Sequence, residues 1–170
     1  LKSLNFFKTV KLESLDSTTK NNKIININVE EKATGEISAG AGLGTSGSTF
    51  NFGVRENNYL GKGFAVDANA SISTDSIKGK FGINNPNYKN SDKSVFANVQ
   101  AIEIDRTKNF GYKSNKTGFE LGTYFEYLKN LNLGLSGRSF YEKIETDSTA
   151  SATQQKQEGD YFDTFVSLNF

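Results

Sequence analysis

Hydrophobic and polar residues alternate along most of this chain, and the alternation is clearest from residue 35 onward. In the segment GEISAGAGLG (35–44), small or apolar side chains occupy every second position, at Ile37, Ala39, Ala41 and Leu43. After a glycine–serine turn the pattern resumes in 48–56, with Phe50, Phe52 and Val54 as its apolar positions. A period of two residues is that of a β-strand with one apolar face, and successive hairpins of this kind predict a barrel or a sandwich.

The alternation predicts ten strands in two groups. The first two strands, at 6–15 and 23–31, form a hairpin through the polar turn DSTTKNN and follow a helix end in LKSLN (1–5). The segment EKATG (31–35) leads into the second group, whose strands lie at 35–44, 48–56, 63–74, 76–84, 93–106, 115–127, 131–145 and 160–170. Most have the length of about 9–11 residues that crosses a bilayer with tilt, whereas strands of soluble sandwiches have about five or six.

A low hydrophobic content combined with patterned aromatic residues favours a membrane barrel. Hydrophobic residues make up 35% of the chain and the mean hydropathy is -0.53, whereas aromatic residues make up 12%. Disordered chains are poor in aromatics, and a spanning helix would need roughly 18 consecutive apolar residues, which this sequence lacks. We therefore expect an all-β fold, a transmembrane antiparallel up-and-down β-barrel over 32–170, preceded over 1–31 by part of a small α+β domain.

The faces of the predicted strands separate lipid-facing from interior residues. The apolar positions that we expect to face lipid are Phe50, Phe52, Val54, Phe119, Leu121 and Leu133. The charged residues Arg55, Lys78, Lys80 and Arg138 fall on the polar faces. There they avoid the cost of about 2–4 kcal/mol that a charge meets on the lipid face at the midplane.

Connections and aromatic residues orient the predicted barrel. Two long polar connections, TKNFGYKSN and TDSTASATQQKQEGD, mark the outer side, because outer loops of bacterial barrels exceed the periplasmic turns. Aromatic rings favour the headgroup level of a membrane. This predicts a girdle of Tyr59, Phe64, Tyr88 and Tyr127 at the periplasmic rim and of Tyr112 and Phe140 at the outer rim. The alternative is that these rings form the core of a soluble sandwich.

The residue inventory excludes several kinds of chemistry. His and Cys are absent, which excludes a Ser–His triad, a thiol nucleophile and an ordinary zinc site. The motif GLGTSG (42–47) matches G-x-G-x-x-G, but a strand follows it where a dinucleotide site needs a helix. Paired carboxylates can cleave glycosidic bonds, but Glu103, Asp105, Glu142, Glu145 and Asp147 lie at strand ends beside lysines, as a solvated rim would. The net charge of +1 is interleaved, which disfavours nucleic acid as a partner. We expect no enzyme, no cofactor and no metal.

Four segments resemble the BamA-type outer-membrane protein assembly factors, a family with POTRA domains and a bacterial surface antigen barrel. They are the phenylalanine-rich strand in LNFFKTV, the hinge in EKATGE, the first hairpin GAGLGTSGSTFNFGVRENNYLGKGF and the turn in FGINNPNY. The resemblance is most specific over 29–88 and becomes only topological beyond about residue 100. It implies that 1–31 is the end of a periplasmic POTRA domain, and that 32–170 is roughly the first half of a sixteen-stranded barrel in the bacterial outer membrane.

The resemblance also implies a function. Members of the family insert other barrel proteins without a cofactor, and their partners are the lipid bilayer, nascent outer-membrane proteins, accessory lipoproteins and periplasmic chaperones. Their first barrel strand closes a lateral gate weakly and pairs with the incoming protein. The corresponding residues here are Gly35, Glu36, Ile37, Ser38, Ala39, Gly40, Ala41, Gly42, Leu43 and Gly44. An exposed strand edge can template pairing, and glycine and alanine provide little packing to hold such a seam closed.

Three alternatives remain open from the sequence. The glycines of 35–44 could only relieve barrel curvature. Two-partner secretion transporters and the autotransporter-assembly relative share the domain order, although the hinge and the NPNY turn favour the assembly factor. A passive small barrel or adhesin of eight strands would fit the closing segment FDTFVSLNF, which ends on an aromatic residue. We expect the chain to be an excerpt from a longer protein, because Leu1 begins inside a structural element.

Overall fold

The computed structural model describes residues 6–16, 22–44 and 47–170, and these residues form antiparallel strands joined mostly by short connections. The strands are β1 (Phe7–Asp16), β2 (Lys23–Glu31), β3 (Gly35–Gly44), β4 (Gly47–Tyr59), β5 (Phe64–Ser73), β6 (Ser76–Asn85), β7 (Ser94–Asp105), β8 (Tyr112–Leu128), β9 (Leu131–Thr146) and β10 (Gly159–Asn169). Every predicted strand is present within a few residues of its expected bounds. The predicted helix end at 1–5, most of the turn after β1 and the tip of the β3–β4 turn lie outside the described residues.

The chain divides into two units, Leu1–Gly35 and Glu36–Phe170. In the first unit, β1 and β2 form a hairpin in which Leu12 lies opposite Ile27 and Val10 opposite Val29. Alternating β-branched residues in β2 favour this extended conformation and give the hairpin one apolar face. Leu12 is 67% exposed and Ile27 50% exposed, so that face is uncovered within the described residues. The assignment of this hairpin to a POTRA domain stays a prediction.

The second unit is a single eight-stranded sheet in the order β3-β4-β5-β6-β7-β8-β9-β10. Each strand pairs with its neighbours in sequence, which confirms the predicted all-β, antiparallel, up-and-down arrangement. Over the described residues the sheet is open, with β3 at one edge and β10 at the other. The closed barrel of eight strands, one of the alternatives from the sequence, is therefore absent from this structure.

The register divides the sheet into two faces, because direct partners across antiparallel strands point to the same side. Phe81 illustrates one of them, since its partners are Ala68 in β5 and Val99 in β7. The apolar face, as we call it, includes Phe50, Phe52, Val54, Val66, Ala68, Ala70, Ile72, Ile77, Phe81, Ile83, Val95, Ala97, Val99, Phe119, Leu121, Leu133, Leu135, Phe162, Val166 and Leu168. The polar face carries Asn51, Arg55, Asp67, Asn69, Lys78, Lys80, Asn98, Gln100, Glu120 and Arg138.

The polar face is the inner side of a curved sheet. The buried positions within strands β4–β10 all lie on this face, at Gly53, Gly82, Ser114, Gly134 and Ser136. On the apolar face, by contrast, Phe52 is 54% and Leu121 55% exposed. Ala150, in the connection after β9, is the only buried apolar side chain among the described residues. The soluble-sandwich alternative needs a second layer over the apolar face, and the described part of the chain provides none.

Two ends of the sheet are distinguished by their connections. The proximal end, next to Gly35, carries the connections at 60–63, 86–93 and 129–130, and the distal end carries those at 74–75, 106–111 and 147–158. The helices α1 (Thr107–Phe110) and α2 (Ala152–Gln155) lie in the two longer distal connections. None of the helices in the described residues has the length and hydrophobicity to cross a membrane.

The start of β8 differs from the sequence prediction. Gly111 ends α1 with a left-handed backbone (φ 68°), and β8 begins at Tyr112 instead of at residue 115. The three positions YKS (112–114) therefore also belong to the strand, and the connection before them is shorter than predicted. Their polar composition hid the strand, because the alternation there contains no large apolar residue.

Candidate functional site: the β3 edge and the two faces of the sheet

Strand β3 lies at an open edge of the sheet and is exposed along its length. All ten of its residues are exposed, and Ile37 and Leu43 reach 86% and 89% exposure. Its neighbour in the sheet is β4, and a side-chain bond also joins them, because Ser38 Oγ donates to the carbonyl oxygen of Gly53 at 3.4 Å. The outer edge has no strand beside it in the described part of the chain. Such an edge presents a row of backbone N–H and C=O groups that another strand can pair with.

The glycines of β3 leave space beside the strand. A methyl group built on Gly40, Gly42 or Gly44 would meet no heavy atom within 4 Å. By alternation from Ser38, these three glycines lie on the polar face. Packing against neighbours therefore does not require glycine at these positions. The predicted role of Gly35–Gly44 as a gate and client-pairing strand stays a prediction.

The predicted lipid-facing residues share one face. Phe50, Phe52, Val54, Phe119 and Leu121 are each 49–55% exposed on the apolar face, and Leu133 lies on the same face but is half-buried. No charged side chain interrupts this face between Leu133 and Tyr141 of β9 or between Val95 and Ala101 of β7. Charges on the same side lie toward the two ends: Glu56, opposite Val66, at the proximal end, and at the distal end Lys113 Nζ, 2.6 Å from Glu103, and Lys143 Nζ, 2.6 Å from Glu145.

The predicted girdle aromatics separate into two groups. Four of them lie at the proximal end: Tyr59, Phe64, Tyr88 and Tyr127. Tyr59, Tyr88 and Tyr127 are 46%, 42% and 61% exposed. The other two, Tyr112 and Phe140, lie on the polar face, which differs from the expectation of rings at an outer lipid rim. The hydroxyl of Tyr112 accepts a hydrogen bond from Arg106 at 3.4 Å.

Phe140 packs within the sheet because its direct partner is a glycine. It lies opposite Gly118, and a methyl group at Gly118 would overlap its ring. Two further pairs repeat this arrangement on the polar face, Phe96 with Gly122 and Tyr124 with Gly134. The rings of Phe96 and Tyr124 stack, with centroids 5.8 Å apart. Sequence reasoning missed these pairs, since only the strand register shows which glycine faces which ring.

The carboxylates that could suggest glycosidic chemistry each have their own hydrogen-bond or ion-pair partners. Glu142 receives bonds from Ser114 (2.8 Å) and Lys116 (3.1 Å) on the polar face. Glu103 and Glu145 pair with lysines as described above. Asp105 and Asp147 accept bonds from Thr107 and Thr149, respectively, in the distal connections. These carboxylates are thus dispersed over both faces and two connections, and they form no shared catalytic pair.

The distal connections are joined to one another. Arg106 Nε donates to Asp75 at 3.2 Å, which links the α1 connection to the β5–β6 turn. The backbone N–H of Asp147 donates to the carbonyl oxygen of Gly111 at 2.8 Å, and Ala150 packs against Gly111. The Asp147 carboxylate accepts hydrogen bonds from the Thr149 hydroxyl and backbone N–H, and these bonds lower its pKa below the usual value.

Comparison with known proteins supports the fold. No protein-family model and no curated protein sequence matches the chain. A solved structure that does match is the crystal structure of BamA from Haemophilus ducreyi lacking POTRA domains 1-3, with a TM-score of 0.75 and 24% sequence identity. The match covers 99% of this chain and 34% of that chain, so the present chain spans about a third of its solved relative. The chain therefore has the fold of part of a BamA-type barrel protein.

Proposed function

We propose that this chain is part of a bacterial outer-membrane β-barrel that assembles other barrel proteins by pairing its β3 edge with their terminal strands. The observation that carries this proposal is the β3 edge itself, which is exposed along all its residues and lies at the boundary of an open sheet with a BamA-type fold. The activity needs no cofactor or nucleotide, because strand pairing supplies the favourable free energy.

The dimensions of the apolar face support a membrane location. On the apolar face of β9, no charged side chain occurs from Leu133 to Tyr141, a stretch of nine residues. At about 3.4 Å per residue this is roughly 30 Å of strand, or about 23 Å of height at a tilt near 40°. The apolar band of outer-membrane barrels is about 25 Å tall. The half-exposed aromatic and aliphatic side chains of this face would then contact lipid instead of water.

The proposed orientation places the proximal end in the periplasm and the distal end outside the cell. The hairpin β1–β2 would belong to the last POTRA domain on the periplasmic side. The longest described connection, 147–158 with α2, lies at the distal end, as expected for outer loops. Proposed partners are the bilayer, nascent outer-membrane proteins, accessory lipoproteins and periplasmic chaperones.

Site-specific photocrosslinking tests the proposal. A crosslinker at Ser38, Gly40 or Gly42 of the full-length protein should capture nascent barrel proteins in growing cells. The matched control is a crosslinker at Ser71, which lies on the polar face of the interior strand β5. Crosslinks to clients from β3 and none from Ser71 support the proposal. Crosslinks from β3 that form only within the protein would remove its main support, and capture of a translocating secreted chain would favour the related transporters instead.

A further inference from the structure

The polar face carries a groove whose charge is unbalanced. A cavity of about 310 Å³ is lined from Ser38 in β3 to Gln100 and Ile102 in β7, with Lys78 and Lys80 of β6 between them. A second cavity of about 90 Å³ continues from Lys80 and Gln100 to Arg138 and Phe140 in β9. The two cavities share Lys80 and Gln100, so together they form one elongated groove across the strands. We call it the cross-strand groove.

The two lysines of this groove lack acidic partners. Among the described residues, neither Lys78 nor Lys80 has a hydrogen-bond or ion-pair partner. Arg138 donates to the hydroxyl of Ser167 at 3.1 Å and lies directly opposite Glu120 in the β8–β9 pair. Among the described residues, the only carboxylate lining the groove is that of Glu120, which also accepts a bond from Asn98 at 3.4 Å. Three cations against one carboxylate leave a net charge of +2.

The amide side chains of the groove favour an acidic peptide over a small anion such as phosphate. Asn51, Asn69 and Gln100 line the groove beside the lysines, and an amide side chain both donates and accepts hydrogen bonds. That combination matches the N–H and C=O groups of a peptide backbone, whereas a phosphate ion uses donors alone. Lys80 in β6 and Arg138 in β9 are three strand spacings apart along the groove, or about 14 Å. Acidic residues four positions apart on one side of an extended peptide that crosses the strands have about the same spacing.

The length of the groove also fits an extended peptide. It runs from β3 to β9, which is six strand spacings of about 4.8 Å, or roughly 29 Å. An extended segment of about eight to nine residues covers that distance. A small anion would occupy only one end of it. The groove's curvature also places its cations on the inner side of the sheet, where protein walls strengthen electrostatic attraction.

We propose that the cross-strand groove binds an acidic peptide segment in an extended conformation, supplied by another polypeptide, with Lys78, Lys80 and Arg138 contacting its carboxylates. This inference goes beyond the proposed pairing at the β3 edge and does not depend on it. Electrostatic attraction supplies the affinity, and the amides of Asn51, Asn69 and Gln100 fix the backbone of the segment.

Peptide binding to the full-length protein in detergent micelles tests this. The probe is a fluorescein-labelled octapeptide of alternating Asp and Ser, compared by anisotropy with a peptide in which Asn replaces every Asp. The acidic peptide should bind at least tenfold more tightly than the neutral one, and its affinity should fall as salt rises. The double variant Lys78→Gln/Lys80→Gln should weaken binding about five- to tenfold, and Lys78→Arg/Lys80→Arg should retain it.

A matched control and four opposing outcomes complete the test. Lys108→Gln/Lys156→Gln removes two lysines from the distal connections and should leave binding unchanged. Equal binding of the acidic and neutral peptides, no binding at all, or an unchanged affinity in Lys78→Gln/Lys80→Gln would overturn the inference. Displacement of the peptide by inorganic phosphate at equimolar concentration would also overturn it, since the groove would then be a site for small anions. Crosslinking from β3 is scored separately, so the two proposals can fail independently.

Discussion

The ring of Phe140 lies directly across the β8–β9 pair from Gly118 and fills the space that a side chain there would need. Lys116 Nζ lies 5.0 Å from the centre of the same ring, and the ring of Phe165 lies 6.4 Å away. Glycine at position 118 thus allows an aromatic ring to lie flat on the inner side of the sheet. The same relationship joins Phe96 with Gly122 and Tyr124 with Gly134, and the three pairs connect β7, β8 and β9.

We expect Gly118→Ala to destabilise the protein by about 1–3 kcal/mol, the usual cost of overpacking. The new methyl group would overlap the ring of Phe140 and the backbone of Ser139. Urea unfolding of the full-length protein in detergent measures the difference in unfolding free energy. The matched control is Gly137→Ala, because a methyl group there meets no atom within 4 Å. Equal stability of the two variants would contradict the packing role of Gly118.

The two faces of β7 give a second prediction. Val99 lies on the apolar face and its neighbour Gln100 on the polar face. If the apolar face contacts lipid, Val99→Arg should cost about 2–4 kcal/mol, whereas Gln100→Arg should change stability much less. Unfolding of the full-length protein in lipid vesicles measures both. Similar costs for the two variants would show that the apolar face does not lie in the hydrocarbon region.

The ion pair between Arg106 and Asp75 should order the distal connections without adding much stability. The side chains are 40% and 27% exposed, so solvent screens the pair and its contribution to stability is small. We expect Arg106→Gln to increase amide hydrogen exchange in 106–111. Lys108→Gln, in the same connection, is the control and should leave exchange unchanged. An unaltered exchange rate in Arg106→Gln would mean that backbone bonds alone hold this connection.

We expect the order of the connection after β9 to depend on pH through the carboxylate of Asp147. Hydrogen bonds from the Thr149 hydroxyl and backbone N–H lower the pKa of Asp147 below its usual value of 3.8. A lowered pKa in the folded state means that the ionised form favours the ordered connection above about pH 4. That contribution is lost as the pH falls through the lowered pKa. We expect the protection of the Thr149 amide, corrected for intrinsic exchange, to decrease over that range.

Asp147→Asn separates this carboxylate from other groups that titrate nearby, such as Asp105. In the variant, protection of the Thr149 amide should be lower at neutral pH and nearly independent of pH. A variant with the same acid-dependent loss as the original protein would assign the effect to another group.

Much of this architecture could be predicted because alternation fixes both strand length and face. The strand containing Phe50, Phe52 and Val54 shows why: three large apolar residues at every second position allow only one face to be apolar. The predicted start of β8 was wrong by three residues, because Tyr112, Lys113 and Ser114 show no apolar alternation. Alternation from Phe119 and from Leu133 puts Tyr112 and Phe140 on the polar face, so the expectation of both rings at an outer lipid rim conflicts with the strand pattern itself. Only the register shows that Phe140 packs against Gly118. The edge position of β3 is implied by the family resemblance, which makes 35–44 the first barrel strand, and β3 lies at one edge of the described sheet.

The central claim is that β3 pairs edge to edge with a client strand, and disulfide crosslinking in register tests it most directly. None of the 170 residues is cysteine, so single cysteines at 37–43 would be the only thiols in this part of the full-length protein. They are combined with single cysteines along the last strand of a client barrel protein. We expect crosslinks in one antiparallel register, in which moving one cysteine by two residues requires moving its partner by two in the opposite direction. Crosslinks without such a register, or none above the level seen with a cysteine at Ser71, would contradict it.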